Sequence, residues 1–154
     1  NRFFYFENVH KGDSLFWEMM KFLYPKETPQ HIDLEFRLNK YAFLNKFKRD
    51  GFYLIDSCDD PMKVKETKAK TRVLIKHQSL LIEKIRNLIH LSTPIILISR
   101  PVFDANSNFL KSNGLNVLNN EMIDFPGSGG QKNFHAKILK LNLLKNDNSF
   151  IQKR

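Results

Sequence analysis

The sequence is short of the residues that cross-link a chain or carry it through a membrane. Its one cysteine, Cys58, excludes an intrachain disulfide and any cysteine-cluster metal site, and the expected role of the thiol is a buried spectator in a reducing compartment. No apolar run reaches the roughly 18 residues that indicate a membrane span, and the N-terminus lacks the charged-then-apolar order of a secretory signal. A soluble, cytoplasmic chain with no membrane partner is the expectation. The five histidines, His10, His31, His77, His90 and His135, are scattered without ligand spacing, so neither a metal nor a cofactor is expected. Acidic residues are the minority charge: 16 Asp and Glu face 25 Lys and Arg, for a formal net charge of +9. An excess of that size draws polyanions by steering and counterion release, which makes DNA the leading partner. The competing explanation is that a lysine- and asparagine-rich composition serves solubility alone.

Glycine is also scarce. Three of the six glycines, Gly127, Gly129 and Gly130, fall in one segment, Asp124-Phe125-Pro126-Gly127-Ser128-Gly129-Gly130-Gln131-Lys132-Asn133. Such a cluster marks a sharp turn or a close backbone approach. At the start of a helix it presents unpaired N–H groups and a positive dipole end to an anion. Ser128, Gly129, Gly130, Gln131 and Lys132 are the phosphate-binding candidates on this reading. The spacing matches neither the Gly-x-x-x-x-Gly-Lys-Ser/Thr phosphate loop nor the dinucleotide fingerprint. A plain strand-to-helix turn is the alternative.

With 154 residues, 42% of them hydrophobic, and 14 phenylalanines, the chain has material for one sizeable core. A single domain over 1–145 with a polar tail at 146–154, monomeric by default, is the simplest organisation. Arg2 to Asn8 is either a short strand or an aromatic loop. Asp13 or Ser14 starts a helix with Phe16, Met19, Met20 and Leu23 on one side, which stops at Pro25. Leu34, Leu38, Tyr41, Ala42 and Asn45 follow helical periodicity up to Gly51. Phe52-Tyr53-Leu54-Ile55 reads as a buried strand. Lys63, Lys65, Lys68, Lys70 and Arg72 form a basic linker, a loop or a helix start, before a helix with Leu74, Leu81, Ile85 and Leu88 on one face.

Ile95-Ile96-Leu97-Ile98 lacks alternation, as a strand covered on both faces does. A helix over Pro101 to Lys111, a strand at Leu115-Asn116-Val117-Leu118 and a helix from Gln131 to about Leu144 complete the pattern, with Phe134, Ile138 and Leu141 inward. Helices alternating with three apolar runs predict an α/β protein, a three-layer α/β/α domain with a mostly parallel central sheet. Ligands of such sheets gather at the C-terminal ends of the strands, where Asp56-Ser57, Ser99-Arg100 and the glycine loop would meet.

This arrangement resembles the uracil-DNA glycosylase superfamily, in its small divergent members. Phe3-Phe4-Tyr5-Phe6 with Ser14-Leu15-Phe16-Trp17 is similar to the aromatic segment and helix that follow the first family motif, which would lie upstream of Asn1. Gly51-Phe52-Tyr53-Leu54-Ile55-Asp56 resembles the strand that ends in a base-reading residue, with Asp56 in the place of asparagine. Ile95 to Ile98 corresponds to a later strand, and Phe125-Pro126-Gly127-Ser128-Gly129-Gly130 sits where the family has its minor-groove loop. Phe125 replaces the histidine or asparagine before the loop proline, and no leucine or arginine wedge follows.

The resemblance implies a uracil-DNA-glycosylase-like fold and a DNA-repair function, hydrolysis of the N-glycosidic bond of a damaged or mismatched base. Base excision requires a flipped nucleotide to be stacked, read and held by its phosphates. Tyr5 or Phe6 would stack the base, Asp56 would read its edge, and Ser128 with the amides of Gly129 and Gly130 would hold phosphate. No residue of the chain is assigned to water activation, so whether it is an enzyme stays open. Two alternatives stand beside this reading: a non-catalytic nucleic-acid- or nucleotide-binding module, and a small-molecule phosphate-binding α/β enzyme.

Overall fold

A computed structural model describes residues 2–8, 13–127 and 129–141. The expected tail at 146–154 and Leu144 lie outside the described residues. The regular structure is helical: α1 (Arg2–Tyr5), α2 (Ser14–Leu23), α3 (Leu34–Arg37), α4 (Lys40–Arg49), α5 (Thr67–Lys76), α6 (Gln78–Leu88), α7 (Arg100–Ser112) and α8 (Gln131–Ile138), with a 3-10 turn at Leu139–Leu141. The structure is 53% helical and 3% strand, and no sheet forms among the described residues, which overturns the expected α/β/α sandwich with its parallel sheet. The described chain divides into two compact units, one from 1–55 with 126–154 and the other from 56–125.

The first unit is built on aromatic side chains. On α2, Leu15, Phe16, Trp17, Met20, Phe22 and Leu23 are buried. Phe16 and Trp17 meet edge to face with ring centroids 4.8 Å apart, and Trp17 continues to Phe36 at 5.6 Å and Phe43 at 5.8 Å. Phe4 of α1 touches Phe16 at 5.2 Å and Phe47 at 5.3 Å. Such pairs add to the area term because the ring edge is positive and the face negative. Phe4 therefore packs on this core from a short helix, where a short strand or a loop was expected.

The same core decides which face of α3 and α4 turns inward. Phe36, Phe43 and Phe47 point to the rings just described, and Lys40 between them is fully buried. Leu34, Leu38 and Tyr41, the periodic set read from the sequence, are 64%, 65% and 61% exposed. The aromatic stripe is larger and buries more apolar area, so it outcompetes the aliphatic one.

Asp13 stands at the N-cap position of α2 but makes no side-chain cap bond. Its carboxylate turns inward, with Oδ1 2.8 Å from Arg37 Nη1 and Oδ2 3.2 Å from Lys40 Nζ. The Lys40 ammonium also lies 4.8 Å from the centre of the Phe16 ring. Burial holds Lys40 below the ordinary lysine value, against the upward pull of Asp13. Tyr24, at the end of α2, donates from its hydroxyl to Asp50 Oδ2 at 3.0 Å. Burial first, and this bond second, push its phenol well above the ordinary tyrosine value.

The second unit closes around Leu81, Ile82, Ile85, Leu97, Leu110, Leu115 and Val117, with Ile89, Ile95, Val102, Phe103 and Phe109 packed against them. Leu88, expected on the inner face of α6, is 48% exposed. The single helix expected to carry Leu74, Leu81, Ile85 and Leu88 is two, α5 and α6, joined at His77, whose backbone leaves helical geometry. Helix α5 lies closest to α7, where the small buried residues Ala105 and Ser107 flank Asn106. At the start of α6, Gln78 Nε2 donates to the Ala105 carbonyl of α7 at 2.6 Å.

The two runs read as strands at 95–98 and 115–118 meet at one isolated parallel bridge, Ile95 with Val117, and a second bridge joins Ile98 to Ile123, beyond the later run. Between the bridges the ladder is taken over by a side chain. Asn119 accepts from Leu97 N–H at 2.9 Å and donates to the Leu97 carbonyl at 3.1 Å. Its amide also donates to the Glu121 carbonyl at 3.0 Å, so the chain from 119 to 121 loops away instead of extending a strand. A comparable substitution occurs at the third run. The Tyr5 hydroxyl donates to the Leu54 carbonyl at 3.0 Å and accepts from Leu54 N–H at 2.6 Å. Segment 52–55, expected as a buried strand, has no regular structure, and Phe52, Tyr53 and Ile55 are exposed. In both places a buried or half-buried peptide group is satisfied by a side chain, which meets the backbone requirement without a neighbouring strand.

Candidate nucleic-acid interface

Helix α8 starts at Gln131 with Gly130 in the N-cap position and no side-chain cap. Gly130 N–H donates to the Gly127 carbonyl at 3.0 Å, and Phe134 N–H closes the first helical turn onto Gly130 at 2.9 Å. Gly129 has φ +89 and open space where a Cβ would stand, so its glycine is required by the backbone angle and not by crowding. The segment is thus a turn into a helix, as expected, but an isolated bridge at Ile123 precedes it in place of a strand. Ser128 lies outside the described residues. Gly129 and Lys132 are exposed, and Gln131 is half-buried.

The base-binding candidates fall in different units. Tyr5 belongs to the first unit and uses its hydroxyl on Leu54. Burial raises its phenol above the ordinary value, and the bond to Leu54 acts against that. Phe6 is 55% exposed beside it in sequence. Asp56 opens the second unit, exposed, and its main-chain carbonyl receives Lys84 Nζ at 3.4 Å.

Of the two alternatives for the basic linker, a loop or a helix start, the helix holds from Thr67 onward. From Thr67 to Lys76 the chain is helix α5, and Lys68, Arg72 and Lys76 recur every fourth residue. Residues four apart stand on one helix face, so the three cations form a stripe about 12 Å long. All three are exposed, as are Lys63 and Lys65 just before the helix. The opposite side of α5 supplies Leu74, which is buried, and this fixes the stripe outward. Among the described residues no carboxylate pairs with Lys63, Lys65, Lys68, Lys70, Arg72 or Lys76.

The first unit treats its cations differently. Arg37 and Lys40 share Asp13, Lys21 meets Glu18 at 3.0 Å, Lys46 meets Glu27, and Arg49 lies 3.6 Å from Asp50. His135 of α8 also pairs with Glu18. Much of the positive charge there is neutralised within the unit, whereas the cations of α5 pair with no carboxylate among the described residues. No helix among the described residues is long and apolar enough to cross a membrane. Comparison with protein-family models, with curated proteins and with solved structures finds no match for this chain.

Proposed function

We propose that the chain binds DNA, without catalysis of its own, and that α5 is the contact element. The observation that carries this is the stripe Lys68-Arg72-Lys76, exposed on one face of a helix and unmatched by any described carboxylate. Each strand of a duplex places a phosphate every ~3.4 Å of helix axis, so a stripe of about 12 Å faces more than one at once. Lys63 and Lys65 extend the same charge ahead of the helix. Clustered lysines and arginine suit phosphate contacts, so the binding is expected to be chiefly to the backbone and sequence-tolerant. The net charge of +9 adds long-range steering.

A fluorescence-anisotropy titration of the full chain against single- and double-stranded DNA, with and without a uracil or abasic site, tests the reading. Binding of all four, weakening steeply with salt, is expected. Base release from the uracil duplex would contradict the non-catalytic part and bring glycosidic-bond hydrolysis back. Stabilisation by a mononucleotide with no affinity for DNA would contradict the whole reading in favour of a phosphate-binding enzyme.

A further inference from the structure

We propose that the 56–125 unit binds a zinc-class transition-metal ion through Cys58, Asp60 and His77, with a fourth position left to water. The donor atoms of these three residues all lie within 4.8 Å of one another. His77 Nε2 is 3.7 Å from Asp60 Oδ2, and the Cys58 thiol approaches the Asp60 carbonyl at 3.5 Å. Bonds of about 2.0–2.3 Å to a tetrahedral ion set neighbouring donors roughly 3.3–3.8 Å apart. The histidine and aspartate already have that spacing, and a movement of about 1 Å brings in the sulfur.

The surroundings prepare each donor. His77 sits at the junction of α5 and α6, where its ring is fixed by a 2.9 Å contact between Nδ1 and the Val73 carbonyl. A carbonyl only accepts, so in the neutral ring the proton is on Nδ1 and Nε2 carries the lone pair that a metal takes. That is the outer partner metal-binding histidines generally have. Cys58 and Asp60 are two apart on the loop that follows Ile55. This loop is tied to α6 because Lys84 Nζ holds Asp59 at 2.5 and 2.7 Å and reaches the Asp56 carbonyl at 3.4 Å. Asp59 is thereby committed to Lys84, which leaves three protein donors and an open position.

One thiol, one imidazole and one carboxylate form a borderline-soft set that suits zinc or cobalt(II) and not the oxygen-seeking magnesium or calcium. Binding replaces the thiol proton by the metal, so one proton is released per ion and affinity rises with pH. The proposal is independent of the DNA reading, since it uses none of the residues of the basic stripe.

The test is titration of the full chain with cobalt(II). A thiolate-to-cobalt charge-transfer absorption saturating at one ion per chain is expected, displaced by zinc and untouched by magnesium. Cys58→Ser should abolish the absorption, while Asp60→Asn and His77→Gln should weaken cobalt binding at least about tenfold. Zinc should raise the Tm of the parent chain and leave that of Cys58→Ser unchanged. Absence of the thiolate absorption, or binding that persists at full strength in Asp60→Asn and His77→Gln, would overturn the proposal.

Discussion

The side chain of Asn119 binds both peptide groups of Leu97, accepting from its N–H at 2.9 Å and donating to its carbonyl at 3.1 Å. Both residues are buried, so each of these groups would otherwise be left without water. Asn119→Ala is therefore expected to cost about 2–4 kcal/mol, the penalty for two unsatisfied buried groups. Asn119→Asp should recover only the part due to the Leu97 N–H. Urea denaturation of the three proteins checks the order.

This contact also explains how far the sequence could be read. The helices were legible: α2 after Asp13, α7 from Arg100 and α8 from Gln131 lie within a residue or so of their expected starts, because proline, glycine and capping positions mark helix ends locally. The strands were not. A four-residue apolar run is compatible with a strand, a buried loop or a helix segment, and only its partner decides. The partner of Leu97 is the Asn119 side chain and that of Leu54 is the Tyr5 hydroxyl, and neither pairing leaves a local trace. The error in the fold class follows directly, since the parallel sheet rested on those runs. The choice of Leu34, Leu38 and Tyr41 over Phe36, Phe43 and Phe47 arose similarly: both sets have helical spacing, and the aromatic neighbours that select between them come from α1 and α2. At the candidate site, the lysines and arginine of α5 were legible as a charge run, but their alignment on one face required the helix start at Thr67.

The buried group of Asp13, Arg37 and Lys40 provides a second test. Asp13→Ala leaves the fully buried Lys40 ammonium without its carboxylate, which costs about 3–5 kcal/mol. Burial already lowers the lysine, and removal of Asp13 lowers it further. A lysine depressed in the folded state binds fewer protons there than in the unfolded chain, so stability rises with pH toward the ordinary lysine value. The deficit of Asp13→Ala should accordingly be smaller near about pH 10 than near about pH 7.

Tyr24 has the opposite sign. Its phenol is raised by burial and by the bond to Asp50, so the folded state keeps a proton that the unfolded state loses above about pH 10. Its contribution is complete below that pH and declines as the pH climbs beyond it. Tyr24→Phe should flatten the alkaline fall in stability, measured by denaturation on both sides of that pH. An unchanged alkaline fall would contradict the assignment.

Ser99 precedes α7 with φ +82 and ψ 147, a conformation glycine adopts easily and a side chain does not. It is held by its N–H donating to the Ile123 carbonyl at 2.8 Å, beside one of the two bridges. Relief of that strain predicts that Ser99→Gly stabilises the chain by about 1 kcal/mol. A higher urea midpoint with an unchanged slope is the expected result, and a lower midpoint would count against the strained geometry.

The central claim is the contact of α5 with DNA, and the salt dependence of binding tests it most directly. The slope of log affinity against log salt should be measured for the parent chain, for Lys68→Ala/Arg72→Ala/Lys76→Ala, and for Lys111→Ala. Lys111 is on α7 and holds Asn120 at 2.8 Å. Removing one cation that sits on a phosphate reduces the slope by about 0.9, so the triple variant should drop by roughly 2 to 3 units while Lys111→Ala keeps the parental slope. Equal slopes for the parent and the triple variant would place the DNA on another surface and contradict the account.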